Sequence, residues 1–214
     1  MRLVKRFALI ACSLQLAACN LVVSDEPMLE RDAEAPVMKP GIWVDAGEEA
    51  CAFDPATPVL TWPDCADAAV FDENGDLYSF DRKSGSWKGI ELVLGSGDPA
   101  VAQVRLPKEL TGGSELAPTY IYAGLRAVQS DADGLVTAFR TWPMVCGPVA
   151  QNDTELPSEP AVTDAPFAGL TIVGQNCRAE DIAALQNAAR QSEALVESPG
   201  GARWVREAAE VRLD

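Results

Sequence analysis

A succession of three strand–turn–strand patterns in the middle of the chain constrains the fold most. Each pattern places two β-prone apolar runs around a short turn-forming segment. The three turns are Glu73-Asn74-Gly75, Gly95-Ser96-Gly97-Asp98-Pro99 and Asp131-Ala132-Asp133-Gly134. Turns of this kind between apolar runs indicate hairpins. Successive hairpins favour an antiparallel meander that closes into a barrel or packs as a sandwich.

The runs beside these turns define the expected strands. They cover residues 69–72, 76–80, 90–94, 101–106, 119–128 and 135–142. In the last run, strict alternation puts Leu135, Thr137, Phe139 and Thr141 on one face and Val136, Ala138, Arg140 and Trp142 on the other. We therefore predict a single, mainly β domain over residues 41–214.

The chain changes character after the third hairpin. Residues 147–166 are rich in proline and acids, which predicts a long connection without regular structure. A short strand is expected at 169–173, and the apolar spacing of 179–196 predicts a C-terminal helix. The tail 203–213 fits a second short helix, with acids and arginines four residues apart, although a terminal strand is the alternative.

The first twenty residues predict export. A basic start is followed by an apolar run of ten residues, 7–16, and the segment closes on Leu16-Ala17-Ala18-Cys19. A ten-residue helix rises about 15 Å, which is too short to span a bilayer permanently. Such a pattern is typical of a removable signal. The closing quartet resembles the lipobox of bacterial lipoproteins, which implies that residues 1–18 are removed and that Cys19 becomes a lipid-bearing N-terminus.

The resemblance implies a protein of the bacterial cell envelope whose partner is the membrane, reached through the lipid on Cys19. Several acyl chains on one residue anchor a protein stably. Asn20 rather than an aspartate follows the cysteine, which favours the outer membrane, with the protein facing the periplasm. Residues 19–40 are acidic and interrupted by prolines, which predicts a flexible tether with an end-to-end distance of roughly 25 Å.

Four cysteines remain beyond the lipobox: Cys51, Cys65, Cys146 and Cys177. An even number in an exported chain predicts two disulfides, and three pairings are possible. We expect Cys51–Cys65 and Cys146–Cys177, because each pair brackets a turn-rich segment. A zinc site would need close cysteine pairs, which these spacings do not provide, so no metal site is assigned to the cysteines.

Charge and composition exclude several functions. The chain has 17 basic residues, 32 acidic residues and no histidine. The acidic excess argues against nucleic acid as a partner and against direct adhesion to anionic lipid. Without histidine, Ser-His-Asp and Cys-His catalysis and histidine-ligated metals are excluded. S-x-x-K and G-x-S-x-G are also absent, so we assign no catalytic residue and no cofactor.

Four aromatic residues are candidate ligand contacts: Trp62, Tyr120, Tyr122 and Trp142. Trp62 is close to a predicted disulfide, and Tyr120 and Tyr122 share one strand face. Aromatic surfaces bind sugars and peptides, but packing in the core is the alternative for all four. The run 72–76 has the first three ligand positions of a calcium loop but lacks its later glycine and glutamate, so a plain turn is the alternative.

Together these features predict a non-enzymatic envelope lipoprotein that acts through contacts with other envelope proteins. The alternative is a protein that binds a glycan, a peptide or calcium. A hydrolase based on two carboxylates has the least support, because nothing singles out a pair among so many acids.

Overall fold

The computed structural model of the chain describes residues 20–45, 51–107, 119–149, 162–197 and 199–208. Cys19 and the predicted leader lie outside these ranges, as does most of the predicted long connection. The fold is mostly β, with 43% strand and 9% helix. The predicted fold class is therefore confirmed.

The described part of the chain contains twelve strands and one α-helix. The strands are β1 (Val23–Ser24), β2 (Gly41–Asp45), β3 (Ala68–Phe71), β4 (Leu77–Asp81), β5 (Ser86–Ile90), β6 (Leu92–Gly95), β7 (Ala100–Arg105), β8 (Tyr120–Ser130), β9 (Val136–Pro143), β10 (Leu170–Val173), β11 (Asn176–Ala179) and β12 (Gly200–Arg206). Helix α1 (Ile182–Glu193) follows β11, and a 3₁₀ turn covers Val59–Thr61.

The main sheet is an antiparallel meander that curls into a nearly closed barrel. Its strand order is β5-β4-β3-β2-β12-β9-β8-β7-β6, with β1 added beside β8, while β10 and β11 form a separate hairpin. The last strand, β12, closes the meander because it pairs with both β9 and β2. The two end strands, β5 and β6, are separated by Glu91 alone, so one bent run of chain forms both edges.

The three predicted hairpins correspond to β3–β4, β6–β7 and β8–β9. Gly75 and Gly134 have φ of 79° and 81°, a left-handed conformation that glycine adopts without strain. The alternation predicted for the last strand is wrong at its start. Val136 packs inside the barrel with Phe139, because the register between β8 and β9 shifts near Ser130.

The prediction of a helix over 203–213 is wrong where the structure describes that segment. Residues 203–206 belong to β12, whose Ala202 is fully buried and whose Trp204 packs against the barrel interior. The helical interpretation rested on spaced charges, which contribute only a few tenths of a kcal/mol per pair. Pairing with two strands and burial of alternate side chains outweigh that contribution.

Residues 20–40 do not form a free tether in the structure, which corrects the expectation for 19–40. Val22, Val23 and Met38 are at most 6% exposed. The segment also bonds to the sheet, since the Lys39 amide donates to the carbonyl of Val136 over 2.9 Å. Its acids and prolines face outward and masked, in the sequence, the apolar residues that bind it to the barrel.

Buried side chains fall into the barrel interior and two outer covers. The helix-side cover consists of residues 20–29, the β10–β11 hairpin and α1, which pack over the outer faces of β7 and β8. The loop-side cover consists of residues 51–67, which pack over the outer faces of β2, β3 and β4. In the sheet order β3 and β8 are four steps apart through β2 and five steps apart through β5 and β6, so the covers lie on opposite sides of the barrel.

Candidate functional site

Asn20, the residue after the predicted lipid-bearing Cys19, is held firmly in the helix-side cover. It is 6% exposed. Its side-chain amide donates to the carbonyl of Gly147 over 2.9 Å, and the amide of Thr163 donates to its side-chain oxygen over 3.2 Å. Both ends of the side chain are therefore satisfied, as a buried polar group requires.

The Asn20 backbone joins the same neighbourhood. Its N–H donates to the carbonyl of Gln175 over 2.6 Å, and its carbonyl accepts from the amide of Cys146 over 2.8 Å. Consecutive Cα atoms lie about 3.8 Å apart across a trans peptide. One peptide unit separates Asn20 from the residue that the lipobox resemblance makes the N-terminus.

A disulfide ties together two of the three segments that contact Asn20. Cys146 and Cys177 are bonded, with 5.7 Å between their Cα atoms, and both are fully buried. Leu21 runs between them, and its carbonyl accepts from the amide of Cys177 over 3.0 Å. The second disulfide, Cys51–Cys65, lies in the loop-side cover. Both expected pairings are confirmed.

Exposed aliphatic side chains occur in segments that bond to Asn20. Near the tip of the β10–β11 hairpin, Ile172 and Val173 are 37% and 43% exposed, and Val149, two residues after Gly147, is 38% exposed. We call the surface formed by Asn20, Val149, Ile172, Val173 and Gln175 the Asn20 face. The sequence reasoning missed it, because it treated these segments separately.

The segments that build the Asn20 face carry no charge. Residues 20–24, 141–149 and 165–177 contain no Asp, Glu, Lys or Arg, in a chain of which 23% is charged. Among the described residues, charged groups flank these segments in the chain at Asp25, Arg140, Asp164 and Arg178, of which Asp25 and Arg178 form an ion pair. This absence of charge was a signal that the sequence already offered.

The structure does not bring the four candidate aromatic residues together. Trp62 lies in the loop-side cover against Phe53, with ring centroids 4.4 Å apart, and Trp142 lies under α1. The hydroxyl of Tyr122 bonds to Ser24 over 2.7 Å, and half-buried Tyr120 packs beside it. Trp62, Tyr122 and Trp142 are at most 4% exposed, so their geometry supports packing rather than ligand contact.

The loop 72–76 has the geometry of a turn. Asp72 accepts from the amides of Asn74 and Asp76 over 2.9 and 2.8 Å. The guanidinium of Arg31 pairs with Asp76 and donates to the carbonyl of Asn74 over 2.8 Å. The guanidinium of Arg31 therefore already brings a positive charge to this loop, which supports the turn alternative over a calcium site.

Aromatic side chains fill the barrel interior. Trp43 packs on Phe71 and Phe139, with ring centroids 5.4 and 5.5 Å apart. The cavity beside them, lined by Leu92 and Leu94 among others, has a volume of about 10 Å³. That volume corresponds to a single water-sized probe, so this cavity is too small for a sugar or a peptide.

A cluster of ion pairs fastens the end of α1 to the sheet. Arg126 of β8 donates through Nε and Nη2 to both oxygens of Glu193, over 2.9 and 2.8 Å, and its Nη1 pairs with Asp98. Arg140 lies 3.4 Å from the same glutamate. The guanidinium of Arg126 lowers the pKa of Glu193 below its usual value. This arrangement joins two elements and leaves both oxygens of Glu193 engaged.

No family model, no curated protein and no solved structure matches the chain. Among the described residues, no helix has both the length and the apolar character needed to cross a membrane. The functional argument therefore rests on the residues themselves.

Proposed function

We propose that the protein is a lipid-anchored component of the bacterial cell envelope, held by acyl chains on Cys19 at the periplasmic face of the outer membrane. It acts through contacts with other envelope proteins rather than by catalysis. The observation that carries the proposal is the quartet Leu16-Ala17-Ala18-Cys19 at the end of a basic start and a ten-residue apolar run. The two disulfides support it, because disulfides persist in oxidising compartments.

Asn20, the residue after the proposed lipid-bearing Cys19, is 6% exposed and is held by hydrogen bonds to Gly147, Thr163 and Gln175. A lipid on Cys19 would therefore leave the folded body next to this buried residue. Two or more acyl chains there anchor the protein stably, whereas a single chain binds a membrane only reversibly.

Recognition through the outer surface is favoured by the filled interior. The barrel holds packed aromatic and aliphatic side chains, and the cavity among them has a volume of about 10 Å³. Without residues 1–18, which contain Arg2, Lys5 and Arg6, the formal charge changes from −15 to −18. Such a charge favours partners whose contact surface is basic, because complementary charge speeds association and disfavours wrong partners.

The anchor is tested with Cys19→Ser and a matched control, Cys12→Ser, which removes the other cysteine of the leader. We expect the wild type and Cys12→Ser in the outer-membrane fraction, with an N-terminal peptide that starts at Cys19 and carries glyceride-linked and amide-linked acyl chains by mass spectrometry. Cys19→Ser should lose both properties. An unmodified N-terminal peptide in the wild type would contradict the proposal.

The interaction role is tested by chemical cross-linking in intact cells, followed by mass spectrometry. Wild type and Cys19→Ser are expressed to equal levels. We expect one dominant envelope protein in the wild-type adduct that is lost from Cys19→Ser. Adducts that are identical in both strains, or no specific adduct at all, would contradict a role based on anchored protein contacts.

A further inference from the structure

We infer that the Asn20 face docks on the bilayer surface itself, with the tip of the β10–β11 hairpin inserted among the lipid headgroups. The lipid on Cys19 then not only retains the protein but fixes its orientation. This inference rests on the proposed function, because it requires the acyl chains to leave the body at Cys19.

The first step is the length of the connection. Four hydrogen bonds fix Asn20, two through its side chain and two through its backbone. One peptide unit, about 3.8 Å between Cα atoms, separates it from the residue that bears the lipid. A tether of twenty residues would let the domain rotate freely above the membrane, but a tether of one residue holds the Asn20 face against it.

The second step is the position of the aliphatic side chains. The carbonyl of Gln175 accepts from the Asn20 amide over 2.6 Å, so the hairpin tip lies within a few residues of the attachment point. Ile172 and Val173 are 37% and 43% exposed at that tip, and Val149, two residues beyond Gly147, is 38% exposed. Exposed aliphatic groups near a lipid attachment point gain free energy when they enter the interface beside it.

The third step is electrostatic. Transfer of an ion towards lipid is costly, and an acidic protein is repelled by anionic headgroups. Most of the described sequence around the Asn20 face avoids both costs, since residues 20–24, 141–149 and 165–177 carry no charge. Asp164, beside Thr163, is an exposed charge in a segment that contacts Asn20, and Asp25 and Arg178 form an exposed ion pair in the flanking residues.

The test places a tryptophan at the tip of the full-length, lipidated protein. Val173→Trp is compared with Leu60→Trp, a matched control at an exposed leucine of the loop-side cover, on the opposite side of the barrel. Each protein is reconstituted into vesicles of dioleoylphosphatidylcholine, with or without bromine on the acyl chains. The fluorescence of the wild type, with its five native tryptophans, is subtracted.

We expect brominated lipid to reduce the emission of the tryptophan added by Val173→Trp at least twofold, with a shift to shorter wavelength. The tryptophan added by Leu60→Trp should keep its emission. Ile172→Trp provides a second position on the same tip, and near-ultraviolet circular dichroism checks that each variant is folded.

The outcomes separate the two proposals. A lipidated Val173→Trp protein that floats with the vesicles but is not quenched overturns docking and leaves the anchor intact. Equal quenching of Leu60→Trp overturns the fixed orientation. A protein whose N-terminal peptide carries no lipid and that does not float contradicts the proposed function itself.

Discussion

The two covers of the barrel both bury part of its outer surface, but they are built from the chain in different ways. Each hides an outer face of the sheet, is tied by one disulfide and lies against a buried tryptophan, which is Trp62 within the loop-side cover and Trp142 of β9 under α1. The loop-side cover is a single stretch, 51–67, held locally by Cys51–Cys65 and by Arg82, whose guanidinium donates to three of its carbonyls. The helix-side cover joins segments that are more than 120 residues apart in the chain, such as Asn20 and Gly147.

This difference predicts how each cover unfolds. A local cover can open while the barrel stays folded, because its contacts close a short loop. The helix-side cover brings distant segments together, so its loss removes contacts across the whole fold. It also contains Asn20, so a lipid on Cys19, as proposed above, would leave the molecule at this cover.

The largest expected effect comes from replacing the buried tryptophans beneath the covers, Trp142 of β9 under α1 and Trp62 in the loop-side cover. Trp142 is 1% exposed, donates to the carbonyl of Ala189 over 2.9 Å and packs against Gly124. Trp142→Ala should lower the free energy of unfolding by about 3–5 kcal/mol, measured by urea denaturation. Trp62→Ala should cost less and mainly speed hydrogen exchange within 51–67. Equal losses of unfolding free energy in both variants would contradict the proposed difference between the two covers.

The disulfides give the next effect. Cys51 and Cys65 are 14 residues apart, and Cys146 and Cys177 are 31 apart. Loop-closure entropy gives about 3 kcal/mol for the shorter loop and about 4 kcal/mol for the longer one. We expect the double change to alanine at Cys146 and Cys177 to lower the melting temperature more than the same change at Cys51 and Cys65. The reverse order would show that the loop-side cover is the more integrated one.

A third, smaller effect concerns the buried polar contact that holds residues 28–29. The side-chain oxygen of Gln103 accepts from the amides of Met28 and Leu29, over 2.7 and 2.9 Å. Gln103→Leu leaves both buried amides unpaired and should cost about 2–3 kcal/mol in urea denaturation. Tyr122→Phe, which keeps both of these bonds, is the control, with about 1 kcal/mol expected. Equal losses would mean that the two amides find other partners.

The sequence predicted the parts of the fold that local chemistry determines. Asn74-Gly75 and Asp133-Gly134 mark turns through residues adjacent in the chain, so the hairpins could be placed before the structure was known. Closure of the barrel could not be predicted, because β12 pairs with β2 across some 160 residues. Spaced charges in the tail then favoured a helix, and nothing local opposed it.

The candidate site, like the fold, has a part that could be predicted from the sequence and a part that could not. The quartet ending at Cys19 and the two disulfide pairs could be predicted from short-range patterns. The Asn20 face could not, since it exists only where three segments meet and its aliphatic groups look like ordinary core residues in the sequence. For residues 20–40 the error was the opposite one. The acids and prolines led to the prediction of a free tether, although Val22 and Met38 are buried against the barrel.

The smallest effect is a difference in acid sensitivity between the two sides. Arg126 lowers the pKa of Glu193 in the folded protein, so the paired carboxylate contributes stability that is complete above its unfolded pKa of about 4.3. That contribution, below about 1 kcal/mol for a partly exposed pair, is lost as pH falls through the folded pKa. Asp81, bonded to Lys88 near the loop-side cover, has its pKa lowered to about 2 and stays ionised to lower pH.

Acidification from pH 5 to pH 3 should therefore speed hydrogen exchange at the end of α1 before the β4–β5 turn responds. Glu193→Gln should remove that pH dependence, and an unchanged profile in this variant would assign the acid response to another group.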